Sequence, residues 1–214
     1  VGNFGVSGCF SFYPTKQITT GEGGALVTND FEFYNKVKTL KAFGIDKDIK
    51  DRKKQGDYDV KSLGFNYRMT DFQAALGLSQ LSRLDKYIKR RHEIASYYDS
   101  ELKNLELSVP WQSTNVYSSY HLYPILVNIN SNSKSQIEIY NELRENNIAA
   151  NLHYIPVHRH PYYEKLGFNK NDFPISEKLY QEIISIPMYP KIQNQHKEYV
   201  VETLKKAITK YDKN

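Results

Sequence analysis

Cysteine is almost absent from this sequence: Cys9 is the single one among 214 residues. No disulfide can form within one chain, so a reducing compartment, the cytoplasm, is the expected setting. Long apolar runs are lacking as well. No stretch approaches the roughly 20 apolar residues that a membrane-spanning helix needs, and none has the basic start and apolar centre of a secretory signal. The first residue is Val1 rather than a methionine, and the chain opens inside what reads as a loop or strand. A fragment is therefore expected. Concentrated charge is missing too, since the net charge of +5 arises from 29 Lys and Arg spread along the chain. Two short basic runs, Lys50-Asp51-Arg52-Lys53-Lys54 and Lys89-Arg90-Arg91, read as solvated loop or helix faces. With no zinc-ligand spacing, helix-turn-helix pattern or RNA-binding signature beside them, no nucleic-acid partner is expected. A mildly basic surface also suits a phosphate-bearing small ligand.

What is present is ordinary globular composition, 40% hydrophobic and 25% charged, enough to bury a core. Residues 8–12 and 25–28 read as short strands joined by a turn-rich stretch from Pro14 to Gly24. Asp30 is placed to cap a helix over 31–42 that Gly44 ends. A charged segment, 46–58, reads as an exposed loop. Thr70 precedes Phe72, Ala75, Leu76, Leu78 and Leu81, whose spacing of three and four predicts a helix that starts on a cap at Thr70 or Asp71. A second helical pattern follows over 84–105. Beyond it the period changes, and strands over 120–127, 149–154 and 185–188 alternate with helices over 134–146, 175–184 and 195–210, with Pro124 tolerated near an edge or bulge. This alternation predicts a small α/β or α+β domain. The division is expected between residues 92 and 93, with the linking helix starting near 84.

The stretch Ser11-Phe12-Tyr13-Pro14-Thr15-Lys16-Gln17-Ile18-Thr19-Thr20-Gly21-Glu22-Gly23-Gly24 carries the chemical signal. Lys16 stands on irregular backbone between a strand and a glycine-rich loop, where an amine can reach a carbonyl compound. Such an amine becomes a nucleophile once desolvation lets it lose its proton. Most loop lysines are merely exposed, so Lys16 alone decides nothing. Three histidines, His153, His158 and His160, also fall close together. They are not expected to hold a metal, because no carboxylate or cysteine accompanies them in sequence and Pro156 and Pro161 interrupt any helix that would align them.

Taken whole, the order S-F-x-x-x-K-x-I-T-T-G-E-G-G-A-x-V-T-N-D resembles the active-site stretch of the DegT/DnrJ/StrS family of sugar-nucleotide aminotransferases, which use pyridoxal phosphate. Two further blocks are similar to that family: Gly64-Phe65-Asn66-Tyr67-Arg68, continuing through Gln73-Ala74-Ala75-Leu76-Gly77, and His153-Tyr154-Ile155-Pro156-Val157-His158-Arg159-His160-Pro161-Tyr162-Tyr163. The resemblance runs over essentially the whole chain. It implies an α/β fold of the type I aminotransferase kind, with residues 1–92 the tail of the large cofactor-binding domain and 93–214 the small C-terminal domain. By the same resemblance Lys16 is the Schiff-base lysine and the proton carrier. Ser11 bonds the cofactor phosphate, and Asn66, or failing it Arg68, reaches the phosphate of the neighbouring subunit's site in a homodimer. A turn residue and a helix-cap ion pair with Asp71 are the plainer readings of that pair. His153, Tyr154 and His158 line the substrate pocket.

The implied reaction moves an amino group from glutamate to the 4-keto carbon of a nucleotide-linked 6-deoxy sugar, in bacterial surface-glycan or pseudaminic acid biosynthesis. The family's glycine-threonine phosphate loop, its stacking ring and its aspartate at the ring nitrogen have no counterpart in these residues and are expected before Val1. The 214 residues alone are accordingly expected to be inactive, and a catalytically silent remnant is the main alternative. A sugar dehydratase of the same fold is the other, against which Lys16 stands, since such relatives carry histidine there.

Overall fold

The computed structural model describes residues 2, 4–47, 49–128 and 134–208. They divide into two compact units, Val1–Leu84 and Asp85–Asn214. The boundary expected between 92 and 93 falls inside a helix that continues to Leu102.

In the first unit, β1 (Gly8–Ser11) pairs antiparallel with β2 (Gly24–Val27), Cys9 opposite Leu26 and Ser11 opposite Gly24. Phe12 N–H donates to the Gly23 carbonyl at 2.9 Å, and Thr20 N–H to the Phe12 carbonyl at 3.0 Å, which closes the intervening loop on itself. Helix α1 (Phe31–Leu40) starts where expected, with Asp30 accepting from Phe33 N–H at 2.9 Å. It ends earlier than its pattern suggested, because Gly44, at φ +73°, turns its N–H back to the Thr39 carbonyl. The charged loop carries a 3₁₀ turn (Ile49–Asp51) and ion pairs from Lys47 to Asp57 at 2.9 Å and from Lys61 to Asp59 at 3.0 Å.

Helix α2 (Asp71–Leu81) opens on a capping box in which Thr70 accepts from Gln73 N–H while the Gln73 side chain accepts from Thr70 N–H. Its apolar spacing forms the helix as expected. Among the described residues nothing covers this face: α2 buries no residue, and Phe72 is 91% exposed. No hydrophobic side chain of the first unit is fully buried among the described residues.

The second unit holds the core. Helix α3 (Leu84–Leu102) turns Ile94, Tyr98 and Leu102 inward at a spacing of four. Strands β3 (Leu107–Ser108), β4 (Tyr123–Val127) and β5 (Ile183–Ile186) form an antiparallel sheet in that order. Along β4 the side chains of Tyr123, Ile125 and Val127 alternate into the core. Helix α4 (Gln136–Glu145), capped by Ser135 and Glu138, adds Ile139 and Leu143. Short α5 (Pro161–Glu164), α6 (Pro174–Glu182) and long α7 (Asn194–Ile208) complete the unit, with Val200, Val201 and Leu204 of α7 buried. Each such aliphatic side chain stabilises the fold by roughly 1.5–3 kcal/mol. Residues 209 and 210 of the expected terminal helix lie outside the described residues.

Pro124 sits in the middle strand, where a missing N–H should be harmful. It is tolerated because β3 reaches only Leu126 and Val127, and because Ser185, opposite Pro124, turns its N–H and C=O to Asn151 instead. That Asn151–Ser185 bridge is all that forms of the strand expected over 149–154. Arg91 is buried with no carboxylate paired to it among the described residues, and burial lowers its pKa. Its Nη1 donates to the carbonyls of Tyr120 at 2.8 Å, His121 at 3.2 Å and Met188 at 2.9 Å, pinning α3 to the segments that flank β4 and β5.

Candidate active site

Lys16 lies in the loop between β1 and β2, its backbone N–H bonded to the Tyr13 carbonyl at 3.0 Å. The side chain is partly exposed, and its amine has no hydrogen bond or ion pair among the described residues. Ser11 ends β1. Its hydroxyl oxygen accepts from Tyr13 N–H at 3.3 Å, which leaves the O–H hydrogen to donate elsewhere. The loop is rigid for local reasons. Thr19 Oγ1 donates to the Phe12 carbonyl and accepts from Gly21 N–H, each at 2.9 Å, and buried Thr20 donates to the Glu22 carbonyl at 2.9 Å.

Two sequence blocks that lie far apart meet at this loop. Gln73 Nε2 donates to the Glu22 carbonyl at 2.8 Å, across 51 residues. A Cβ on Gly77 would stand 3.0 Å from the Thr20 methyl, and one on Gly23 would stand 2.2 Å from Thr20 Oγ1. Helix α2 therefore serves as the bed on which the Lys16 loop rests. Gln73→Ala removes this bond and half of the capping box together. The expected result is a loss of about 1–2 kcal/mol and faster amide exchange at Thr20 and Gly21 than in the wild type, with the α7 amides unchanged. Unchanged exchange at Thr20 and Gly21 would show that the bond does not hold the loop.

Asn66 and Arg68 are both exposed and bond to each other, Arg68 Nε donating to Asn66 Oδ1 at 3.2 Å, while the guanidinium lies 4.9 Å over the Phe43 ring. Asn66 is fixed by its bridge to Ala42, supported by bonds from Phe65 N–H to the Leu40 carbonyl and from Tyr67 N–H to the Lys41 carbonyl. Arg68 lines a cavity of about 640 Å³ together with Phe12, Gly24, Tyr34, Lys41 and Tyr67.

In the second unit His153, Tyr154 and His158 line one cavity of about 530 Å³ with Tyr163, Phe173 and Leu179, a largely apolar wall. The three differ in what they offer. Tyr154 is exposed. His158 is buried, and its Nε2 lies 2.9 Å from Oε1 of buried Glu177, whose Oε2 lies 3.6 Å from Arg159. It shapes the wall through that pair and packs 4.8 Å from the Phe173 ring. Glu177 was not singled out in sequence, since it stands 19 residues from the histidine it serves. His153 bonds through Nδ1 to Ser185 Oγ at 2.7 Å, and burial lowers its pKa from the ordinary value. His160 is exposed and precedes α5. Among the described residues no cluster of three or more metal-ligating side chains forms, and no helix is long and apolar enough to cross a membrane.

A match to the DegT/DnrJ/EryC1/StrS aminotransferase family covers residues 1–205. The chain is 40% identical over 214 residues to uncharacterized protein MJ1066 of Methanocaldococcus jannaschii, covering 98% of this chain and 55% of that protein. It is 35% identical over 214 residues to the UDP-4-amino-4,6-dideoxy-N-acetyl-beta-L-altrosamine transaminase of Campylobacter jejuni, covering 100% of this chain and 55% of that enzyme. Among solved structures it is similar to Helicobacter pylori PseC, an aminotransferase involved in the biosynthesis of pseudoaminic acid, with a TM-score of 0.88 and 33% identity, over 97% of this chain and 54% of that one. The chain thus spans about half the length of the relatives it matches.

Proposed function

The chain belongs to the DegT/DnrJ/EryC1/StrS aminotransferase family, and from that premise we propose that it carries the lysine-bearing part of a sugar-nucleotide aminotransferase dependent on pyridoxal 5′-phosphate. The observation that carries this reading is Lys16: an amine with no partner among the described residues, on a loop whose own hydrogen bonds and α2 hold it in place. The donor set fits the cofactor. An unengaged amine suits covalent attachment to an aldehyde, and the Ser11 O–H is available to a phosphate oxygen. When bound, pyridoxal phosphate supplies the carbonyl carbon that carries the amino group and a ring that takes up the electron pair left by a departing proton.

The chain's own residues would then act as follows. Lys16 holds the cofactor, takes the proton from the α-carbon of the amino donor, proposed to be glutamate, and returns one to the sugar carbon that receives nitrogen. The sugar nucleotide, proposed to be a 4-keto-6-deoxy sugar in surface-glycan or pseudaminic acid biosynthesis, takes the cavity lined by His153, Tyr154 and His158. Asn66 or Arg68 serves the partner's phosphate in a homodimer. The exposed apolar side chains of α2 and the freely presented Asn66–Arg68 pair support that assembly, because apolar surface of this kind commonly marks an interface. The first unit would be the tail of the large domain and the second the small domain of a cytoplasmic enzyme.

Borohydride reduction of the cofactor-loaded enzyme, followed by peptide mass mapping, tests the reading. A phosphopyridoxyl group on Lys16 is expected. A label on another lysine, or on no lysine, would remove its basis.

A further inference from the structure

Ser185 lies in β5 and is buried, with its backbone N–H and C=O both engaged by Asn151 at 2.8 and 2.9 Å. Its hydroxyl is thus the one part of the residue free to serve a side chain. Among the described residues that hydroxyl has a single partner, His153 Nδ1 at 2.7 Å. A buried O–H needs an acceptor. If Nδ1 carried the proton it would donate to Oγ, and the serine hydrogen would be left buried without an acceptor. Donation from Ser185 to a bare Nδ1 satisfies both atoms. The imidazole proton then stands on Nε2, which has no protein partner among the described residues. His153 meanwhile lines the cavity, whose wall is otherwise mostly apolar. Burial of His153 lowers its pKa and so favours the neutral ring that this arrangement requires.

We infer that Ser185 is a positioning residue that holds His153 as the Nε2–H tautomer, so that His153 offers the cavity's ligand a neutral hydrogen-bond donor matched to an oxygen acceptor. The inference rests on the proposed substrate cavity, and it goes further by stating which ring nitrogen reads the ligand and what fixes it. A neutral donor in an apolar wall discriminates against a ligand group that is itself only a donor, because that group would leave two buried hydrogens facing each other. An oxygen of the sugar or of its nucleotide satisfies the donor.

The tautomer is read directly from nitrogen-15 spectra of the histidine rings at neutral pH. The wild-type chain is expected to show His153 with a protonated Nε2 and an unprotonated, hydrogen-bonded Nδ1. Ser185→Ala, which removes one oxygen from a strand position, is expected to give a mixture of both tautomers, and Ser185→Thr, which keeps the hydroxyl, is expected to restore the single form. Addition of UDP-N-acetylglucosamine as the probe should shift the Nε2–H proton in the wild type and in Ser185→Thr, and shift it less in Ser185→Ala. A wild-type His153 protonated on Nδ1, or a tautomer indifferent to Ser185→Ala, overturns the positioning role. An Nε2–H proton unmoved by the probe overturns the ligand-reading role. The wild-type tautomer needs neither a variant nor the cofactor, so its outcome is separate from that of the Lys16 labelling.

Discussion

Replacing Lys16 with alanine in the full-length enzyme is expected to lower kcat for the proposed amino transfer by at least 10²–10⁴-fold, the range that a positioned general acid–base group contributes, with the covalent attachment lost in addition. Stability should hardly change. The Lys16 amine has no partner to lose among the described residues, and the loop is fixed by backbone and threonine bonds that alanine leaves intact. A change within about 0.5 kcal/mol in denaturant unfolding is the expectation for such a position. Lys16→Arg separates chemistry from charge: it keeps the cation, cannot form the covalent link, and should be as inactive as the alanine variant. Transfer at more than a tenth of the wild-type rate in either variant would mean that another group moves the proton.

How much of this was legible beforehand follows the reach of each interaction along the chain. Asp30 and Thr70 were readable as caps because an N-cap acts on the backbone three residues ahead. The β1–β2 hairpin was readable for the same reason, its two strands lying within one short stretch of sequence. Longer-range partners left no local trace. Nothing near Gln73 announces a bond to Glu22 across 51 residues, and nothing near His153 points to Ser185 across 32. Arg91 reads locally as one more member of a basic helix face, because its three carbonyl acceptors stand 29, 30 and 97 residues away.

The His-rich block was readable as one lining but not as three different roles. Which histidine is spent on Glu177 and which is left facing the cavity depends on α6 and β5, both distant in sequence. Helix α2 shows the converse limit. Its apolar spacing gave the helix, yet periodicity says only that a face exists and not whether this chain covers it, and the face stands exposed.

Gly64 opens the block that carries Asn66 and Arg68, and its role is to let two backbones touch. A Cβ at this position would lie 2.0 Å from Gly44 N, 2.4 Å from the Phe43 carbonyl carbon and 2.8 Å from Gly44 Cα. All three are main-chain atoms, so no flexible side chain can yield. The contact is held by Phe43 N–H donating to the Phe65 carbonyl at 3.0 Å and by Lys61 N–H donating to the Gly44 carbonyl at 2.8 Å, so separating the two segments breaks the bonds that position Asn66 opposite Ala42. Gly64→Ala is therefore expected to destabilise the first unit by about 3 kcal/mol, at or above the upper end for overpacking. Amide protection at Phe43, Phe65 and Tyr67 should be lost before that of the second unit's core. Gly5→Ala supplies the control, since its nearest neighbour would be the Ser7 carbonyl oxygen at 3.9 Å, and a change within about 0.5 kcal/mol is expected there. Urea unfolding of the two variants makes the comparison. If Gly64→Ala unfolds at the same urea concentration as Gly5→Ala, the close approach of Gly64 to Phe43 and Gly44 does not exist in solution, and Asn66 is not held where these bonds put it.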